Sequence, residues 1–207
     1  MSTSGAPLLA LFAAIASADD RDALRRLEAS PALATARLDT GATRAEPDGF
    51  FFEAIRHGVY AGDTALHVAA AAFRARVVDR LVALGADVRA KNRRGAEPLH
   101  YAVDGVPGEA AWHPDAQALV VAALLDAGAD ANARDKGGVG PLHRAARNRC
   151  AAAVRVLLER GADPRAKSGS GATALDLATR TTGRGGSGSP EARRQQTEIL
   201  RLLRARG

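Results

Sequence analysis

The sequence predicts an all-α solenoid of stacked helix pairs, and three observations carry that prediction. The phrase Gly62-Asp63-Thr64-Ala65-Leu66-His67-Val68-Ala69-Ala70 returns as Glu97-Pro98-Leu99-His100-Tyr101-Ala102, as Gly140-Pro141-Leu142-His143-Arg144-Ala145 and as Thr173-Ala174-Leu175-Asp176-Leu177-Ala178. A second phrase follows three of these copies, at Leu81–Asp87, Leu124–Asp130 and Leu157–Asp163. His67 and His100 are 33 residues apart, as are His143 and Asp176, and a fixed period of that size marks a stacked repeat. The third observation is composition: 46% of residues are hydrophobic but only 4% aromatic, so the core is Ala, Leu and Val, which suits closely approaching helices.

Taken in order, residues 8–16 and 21–29 read as two short helices, with Ser17 and Asp19 or Asp20 offering turn and cap oxygens between them. Leu24 and Leu27 give the second an apolar stripe, and Pro31 stops it. The pair is a degenerate first repeat, with the polar outer face that a terminal repeat needs. Pro7–Ala16 is apolar and Ala16-Ser17-Ala18 resembles a small-residue cleavage site. No Lys or Arg precedes it, so a capping helix is expected, with export as the alternative. Residues 34–49 read as a loop. Phe50–His57 reads as a short helix whose phenylalanines plug the gap between the cap and the first full repeat; an exposed aromatic docking patch is the alternative.

Each full repeat then opens at a cap. Thr64 offers a hydroxyl to orphan backbone N–H groups, whereas Pro98 and Pro141 occupy a first helical position where a missing N–H is harmless. Leu66, Ala69 and Ala70 are expected to bury on the first helix. The second helices bury Val77, Val78, Leu81 and Val82, then Val120, Val121, Leu124 and Leu125, then Val154, Leu157 and Leu158, and finally Ile199, Leu202 and Leu203. Gly85, Gly128 and Gly161 close three of them in the left-handed conformation that suits glycine. Extended fingers follow at 86–95, 129–138 and 162–171.

Gly-Ala-Asp, a basic finger, a polar residue and Gly, then Thr/Pro-Leu-His-x-Ala: this pattern resembles the ankyrin repeat, and bacterial ankyrin-repeat proteins in particular. The resemblance implies a non-catalytic ankyrin solenoid with hairpin-like fingers and an N-terminal helical cap. It divides the chain into capping helices and loop over 1–61 and four repeats over 62–207. Glu97 and Gly140 at the Thr position, Ala65 and Ala174 at the Pro position and Asp176 at the His position depart from the pattern. They are expected to weaken single caps without threatening the fold.

Two departures from the period remain. Repeats two and four carry insertions of 10 and 12 residues between their helices, near 103–114 and 179–190, with Pro114 and Pro190 restarting a helix and Ser189 capping the last. Trp112, Arg180 and Arg184 in these insertions form a possible ligand site. Gly183–Gly188 formally matches G-x-G-x-x-G, but it follows a helix, so the dinucleotide reading fails its context test; a loop, or an anion cradle with Arg184, remains.

Charge is uneven. Counting Lys, Arg, Asp and Glu, residues 1–61 carry −2, residues 62–134 carry −1 and residues 135–207 carry +9. The fingers add a basic column of Arg89, Lys91, Arg93, Arg94, Arg134, Lys136, Arg165 and Lys167. The expected partner is therefore a protein with an acidic surface, bound through the fingers and first helices of the concave face. Nucleic acid is the rival, since phosphates need the same side chains, but the fingers lack interleaved aromatics.

No cofactor, metal or catalytic set is expected. Three histidines on successive repeats stand too far apart, by helix-packing distances of ~10 Å, to share one ion. They are read instead as ties between finger and helix. The single cysteine, Cys150, excludes an intrachain disulfide and fits a reducing, cytoplasmic setting. No apolar run is long enough for a membrane span, and a monomer is expected.

Overall fold

Two layers of helices, each built from alternate members of the chain, make the core. The structure is a computed structural model that describes residues 5–43, 48–105, 107, 112–180 and 189–206. The inner layer holds α1 (Ala6–Ala16), α3 (Ala65–Ala71), α5 (Pro98–Ala102), α7 (Pro141–Asn148) and α9 (Ala174–Thr179). The outer layer holds α2 (Asp20–Ala29), α4 (Ala75–Ala83), α6 (Pro114–Asp126), α8 (Ala151–Glu159) and α10 (Pro190–Arg204). Each inner helix packs on the next inner one and each outer helix on the next outer one, so five hairpins stack as a solenoid. The core is continuous from Leu8, Leu11 and Phe12 in α1 to Ile199 and Leu203 in α10.

The caps follow the local chemistry closely. Asp19 accepts from the Asp22 N–H at 2.9 Å and Ser189 accepts from Ala192 N–H at 3.1 Å. Pro98, Pro114, Pro141 and Pro190 each begin a helix. At the other ends, Gly85, Gly128 and Gly161 have φ of +86°, +96° and +86°. The N–H of the next residue reaches back to the carbonyl of Leu81, Leu124 or Leu157, which is the Schellman closure. The outer helices bury Val77, Val78, Leu81, Val120, Val121, Leu124, Val154, Leu157, Leu158, Ile199 and Leu203; Val82, Leu125 and Leu202 pack half-buried against them.

The cap pair α1–α2 also repeats a backbone detail. Ala18, Phe73 and Arg149 all adopt positive φ (+62°, +56° and +63°) at the turn between the helices of the cap, of repeat one and of repeat three. A left-handed non-glycine costs ~1–2 kcal/mol, against ~0.5–1 kcal/mol of extra chain entropy for glycine. Ala18 is exposed, so Ala18→Gly is expected to raise stability by about 0.5 kcal/mol. Urea denaturation checks it, and an unchanged or lower midpoint contradicts it.

Residues 50–58 depart from the expected helix. Phe51–Phe52 (β1) pairs antiparallel with His57–Gly58 (β2), in register Phe51 with Gly58 and Phe52 with His57. A 3-10 turn over Glu53–Ile55 and a left-handed Arg56 (φ +48°) join the strands. The reason is long-range. The Val59 N–H donates to Phe50 and the Ala42 N–H to Val59, which ties the segment into a sheet-like path before a helix can close. The plug is accordingly partial: Phe50 and Phe52 pack against the core, but Phe51 is 42% exposed.

The fingers stack through backbone bonds as well. The N–H of Arg93 donates to Ala61 O (2.8 Å), that of Lys136 to Arg94 O (3.0 Å) and that of Gly169 to Gly137 O (3.1 Å). Close approach is enforced at Gly138, where a Cβ would stand 2.8 Å from the Gly169 nitrogen.

Candidate binding groove

The recurring histidine explains how finger and helix are joined. The Nδ1 of His67, His100 and His143 accepts the backbone N–H of Thr64, Glu97 and Gly140 at 3.2, 3.1 and 3.2 Å. Nδ1 is therefore the unprotonated nitrogen, and Nε2–H donates onward to the carbonyls of Ala96 (3.1 Å), Val139 (3.1 Å) and Ala166 (2.9 Å). Both ring nitrogens are engaged in each strut. Because the histidine caps the backbone and not a side chain, the same bond forms at Glu97 and Gly140, which stand at the Thr position. Thr64 places its hydroxyl 3.0 Å from the same Nδ1, and Asp176 takes over the role in repeat four by accepting from Thr173 N–H at 2.8 Å. Burial lowers the pKa of all three histidines, that of His100 to about 4. Among the described residues no cluster of three His, Cys, Asp or Glu is arranged to hold a metal ion.

At the first joint a polar network is buried. Asp63 is fully buried and accepts from Tyr60 N–H (2.7 Å), Tyr101 O–H (2.8 Å) and Asn92 Nδ2–H (2.8 Å). Burial, and then the neighbouring Asp63, hold the Tyr101 phenol far above its ordinary pKa. The Tyr101 ring lies edge-on to His57, with centroids 4.3 Å apart, and to His67 at 5.1 Å.

Tyr60, Asn92 and Tyr101 of this network line a groove of about 1280 Å³. It is lined by the β1–β2 hairpin and residues 42–43, by the fingers carrying Arg93, Arg94, Lys136 and Gly137, and by Asp104, Arg144 and Asn148. Arg144 bridges the two repeats by donating to Asp104 and Asp135, at 2.9 Å each. Asn148 donates to Val103 O (3.2 Å) and to Asp104 (3.1 Å), which anchors the first insertion where it leaves α5.

The eight finger cations are not one patch. Arg93, Arg94 and Lys136 line the groove. Arg89 is paired with Asp130 of the next finger at 3.1 Å, and Lys91 with Glu97 at 3.7 Å. Arg134 lies at a smaller depression beside His143, and Arg165 and Lys167 are exposed on the last finger.

Of the insertion residues, Asp104 and Gly105 line this groove, whereas Trp112 and Arg180 do not. Trp112 donates to Gln117 Oε1 at 3.2 Å and covers Gly105, while Gln117 itself donates to Ala102 O; Arg180 follows α9, where its carbonyl accepts from Arg149. Arg184 and the Gly183–Gly188 motif lie outside the described residues. Cys150 is buried beside the carbonyls of Val103 and Gly105, and burial pushes its thiol up to about 12, so it is an inert core residue.

Sequence reasoning missed His57, Tyr60, Asp63 and Arg144. For Arg144 a signal was present: it fills the variable position after the repeat histidine, as Tyr101 does, and that position faces the groove in both. His57 and Tyr60 carry no such register mark, since they precede the first copy.

Stacked helix pairs, left-handed closing glycines, hydrogen-bonded fingers and histidine struts repeat together. A family profile for ankyrin repeats (many copies) matches residues 124–178, and one for the single ankyrin repeat matches residues 61–93. The chain is an ankyrin-repeat protein. The stretch between these two matches, 94–123, contains the first insertion. None of the curated proteins compared with the chain matches it. Ankyrin repeats are generally protein–protein interaction modules, and the family is typically non-enzymatic. Among the described residues no helix is long and apolar enough to cross a membrane.

Proposed function

We propose that this ankyrin-repeat protein is a non-catalytic interaction module that receives a segment of a partner protein in the groove between its fingers and inner helices. The groove itself is the observation that carries this reading, since it is far larger than its few polar contacts need and is lined from three successive segments of the solenoid. Finger-to-finger bonds and histidine struts hold it rigid, so a partner loses little of its binding free energy to ordering the surface. The buried thiol of Cys150 suits a reducing compartment such as the cytoplasm.

The polyanion alternative rests on the +9 charge of the last third, whose arginines are partly held in ion pairs. Arg155 and Arg201 both donate to Glu198, Arg194 is paired with Glu191, and Arg160 with Asp126. Glu191 and Glu198 are already counted in the net +9, so of these pairs only that with Asp126, outside residues 135–207, offsets the excess.

A pull-down from native extract, with the wild type and Gly137→Trp side by side, tests the reading. Gly137 lines the groove, and a Cβ there meets only Asp135 Oδ1 at 3.3 Å and Val139 Cγ2 at 3.8 Å. The indole is expected to fill the groove and abolish capture of proteins that the wild type retains. An identical set of retained proteins, or none retained by the wild type, overturns the proposal.

A further inference from the structure

Two arginines in the groove are held in place without a carboxylate partner among the described residues. The Arg94 guanidinium donates to the Tyr60 hydroxyl at 2.9 Å and lies 4.9 Å from the centre of that ring. The Arg93 guanidinium lies 5.3 Å from the same centre and donates to the Ala42 carbonyl. Both are thus positioned by neutral groups, a ring, a phenol and a carbonyl. Among the described residues no carboxylate forms an ion pair with either. Lys136, whose N–H donates to Arg94 O at 3.0 Å, adds a third cation from the next finger, also without a carboxylate partner among the described residues.

This contrasts with eight other arginines of the chain. Arg26, Arg74, Arg89, Arg144, Arg155, Arg160, Arg194 and Arg201 all reach a carboxylate within the solenoid. The two carboxylates that line the groove, Asp104 and Asp135, are each bonded to Arg144. The groove therefore keeps a localised positive charge where Tyr60 fixes it, at the finger side near the hairpin wall. A guanidinium whose geometry is already set forms bidentate bonds to a carboxylate with little further ordering, and such bonds are about twice as strong as neutral ones. His57 also lines the groove, and its buried Nε2 has no hydrogen-bond partner among the described residues.

We infer that Arg93 and Arg94, clamped on Tyr60 and extended by Lys136, form the carboxylate-recognition subsite of this groove, and that its occupant is an extended partner segment with neighbouring Asp or Glu side chains. The inference rests on the interaction reading above and assigns its chemistry. It places recognition at one finger junction, in contrast to a general attraction along the basic column.

The test uses the full chain and a fluorescein-labelled hexaglutamate peptide, followed by anisotropy at ~50 mM salt, with hexaglutamine and a single-stranded oligo-thymidine as companion probes. Wild type is expected to bind hexaglutamate in preference to both. Arg93→Gln/Arg94→Gln is expected to weaken it at least about tenfold. Arg76→Gln/Arg80→Gln, which removes the same charge from exposed positions on α4 in the outer layer, is expected to change it less than about twofold. Since the Arg93 bond to Ala42 also supports the wall, Lys136→Gln serves as the second variant; no side-chain bond is lost there, and a loss of about threefold or more is expected. Equal losses in the inner and outer double variants, no wild-type binding of hexaglutamate, or equal affinity for the oligonucleotide each overturn the subsite. If Gly137→Trp abolishes partner capture while these results go against the clamp, the interaction reading stands and only the carboxylate assignment falls.

Discussion

Replacing Asp63 by alanine is expected to destabilise the protein by about 3–5 kcal/mol, the largest effect of any single substitution outside the apolar core. Three donors converge on this one carboxyl: the Tyr60 N–H, the Tyr101 hydroxyl and the Asn92 amide, all between 2.7 and 2.8 Å. Alanine leaves them buried without an acceptor, and a buried unpaired donor costs ~1–3 kcal/mol each before relaxation. The Asn92 amide keeps a second bond to Tyr101 at 2.9 Å, which is why the total stays below a simple sum of three. Urea denaturation of wild type and variant measures the difference. Tyr101→Phe removes one of the donors together with its acceptor demand and is expected to cost only ~1–1.5 kcal/mol. Equal effects of the two substitutions show that the network does not act as a unit. The consequence reaches function, because Asn92 and Tyr101 also line the groove. Asp63→Ala should therefore weaken partner capture even at temperatures where the protein stays folded.

A second large effect is expected from acid. In the folded protein His67, His100 and His143 are neutral, with Nδ1 facing a backbone N–H, so protonation places hydrogen against hydrogen at each strut. His100 titrates at about 4 when folded, against 6.5 for the free group. Between those values the unfolded chain binds the proton and the folded one does not, so stability rises with pH. The contribution is complete above pH ~6.5 and is lost progressively as pH falls toward 4. From pH 7.5 to 5, His100 alone accounts for about 2 kcal/mol. His67 and His143, lowered in the same direction, add to it. The paired carboxylates act in a separate window: Glu198, held at about 2 by Arg201 and Arg155, weakens the fold only once pH drops below the ordinary range for glutamate. Urea midpoints at pH 7.5 and 5 should differ accordingly, and His100→Gln should shrink the difference. A midpoint that does not move between these pH values refutes the strut assignment.

Much of the fold was legible in the sequence because the repeat residues act locally. A proline at N1, a closing glycine or a valine at helical spacing does the same thing wherever the chain carries it. The histidine tie was legible for a similar reason, since one of its two bonds spans three residues. The insertions were legible as lengths, and Pro114 and Ser189 marked where their helices restart.

The groove was legible only in outline. A basic column on the fingers was visible, but not which of its members keep their charge unmatched. Arg89 meets Asp130 across 41 residues and Lys91 meets Glu97, whereas Arg93, among the described residues, meets a carbonyl 51 residues away and a tyrosine ring. Residues 50–58 look helical by composition because Glu53, Ala54 and Ile55 favour a helix turn. They form a hairpin because the backbone of Ala42 and Val59 offers bonds that a helix there cannot use.

The sequence by itself determined that this chain is a stack of helix pairs with rigid fingers, since period, caps and glycine positions are properties of neighbouring residues. Only the tertiary structure decided which side chains line the groove and which of its cations meet a carboxylate. That depends on contacts far apart in sequence, such as Arg89 with Asp130, and on a hairpin tied to the backbone of Ala42 through Val59.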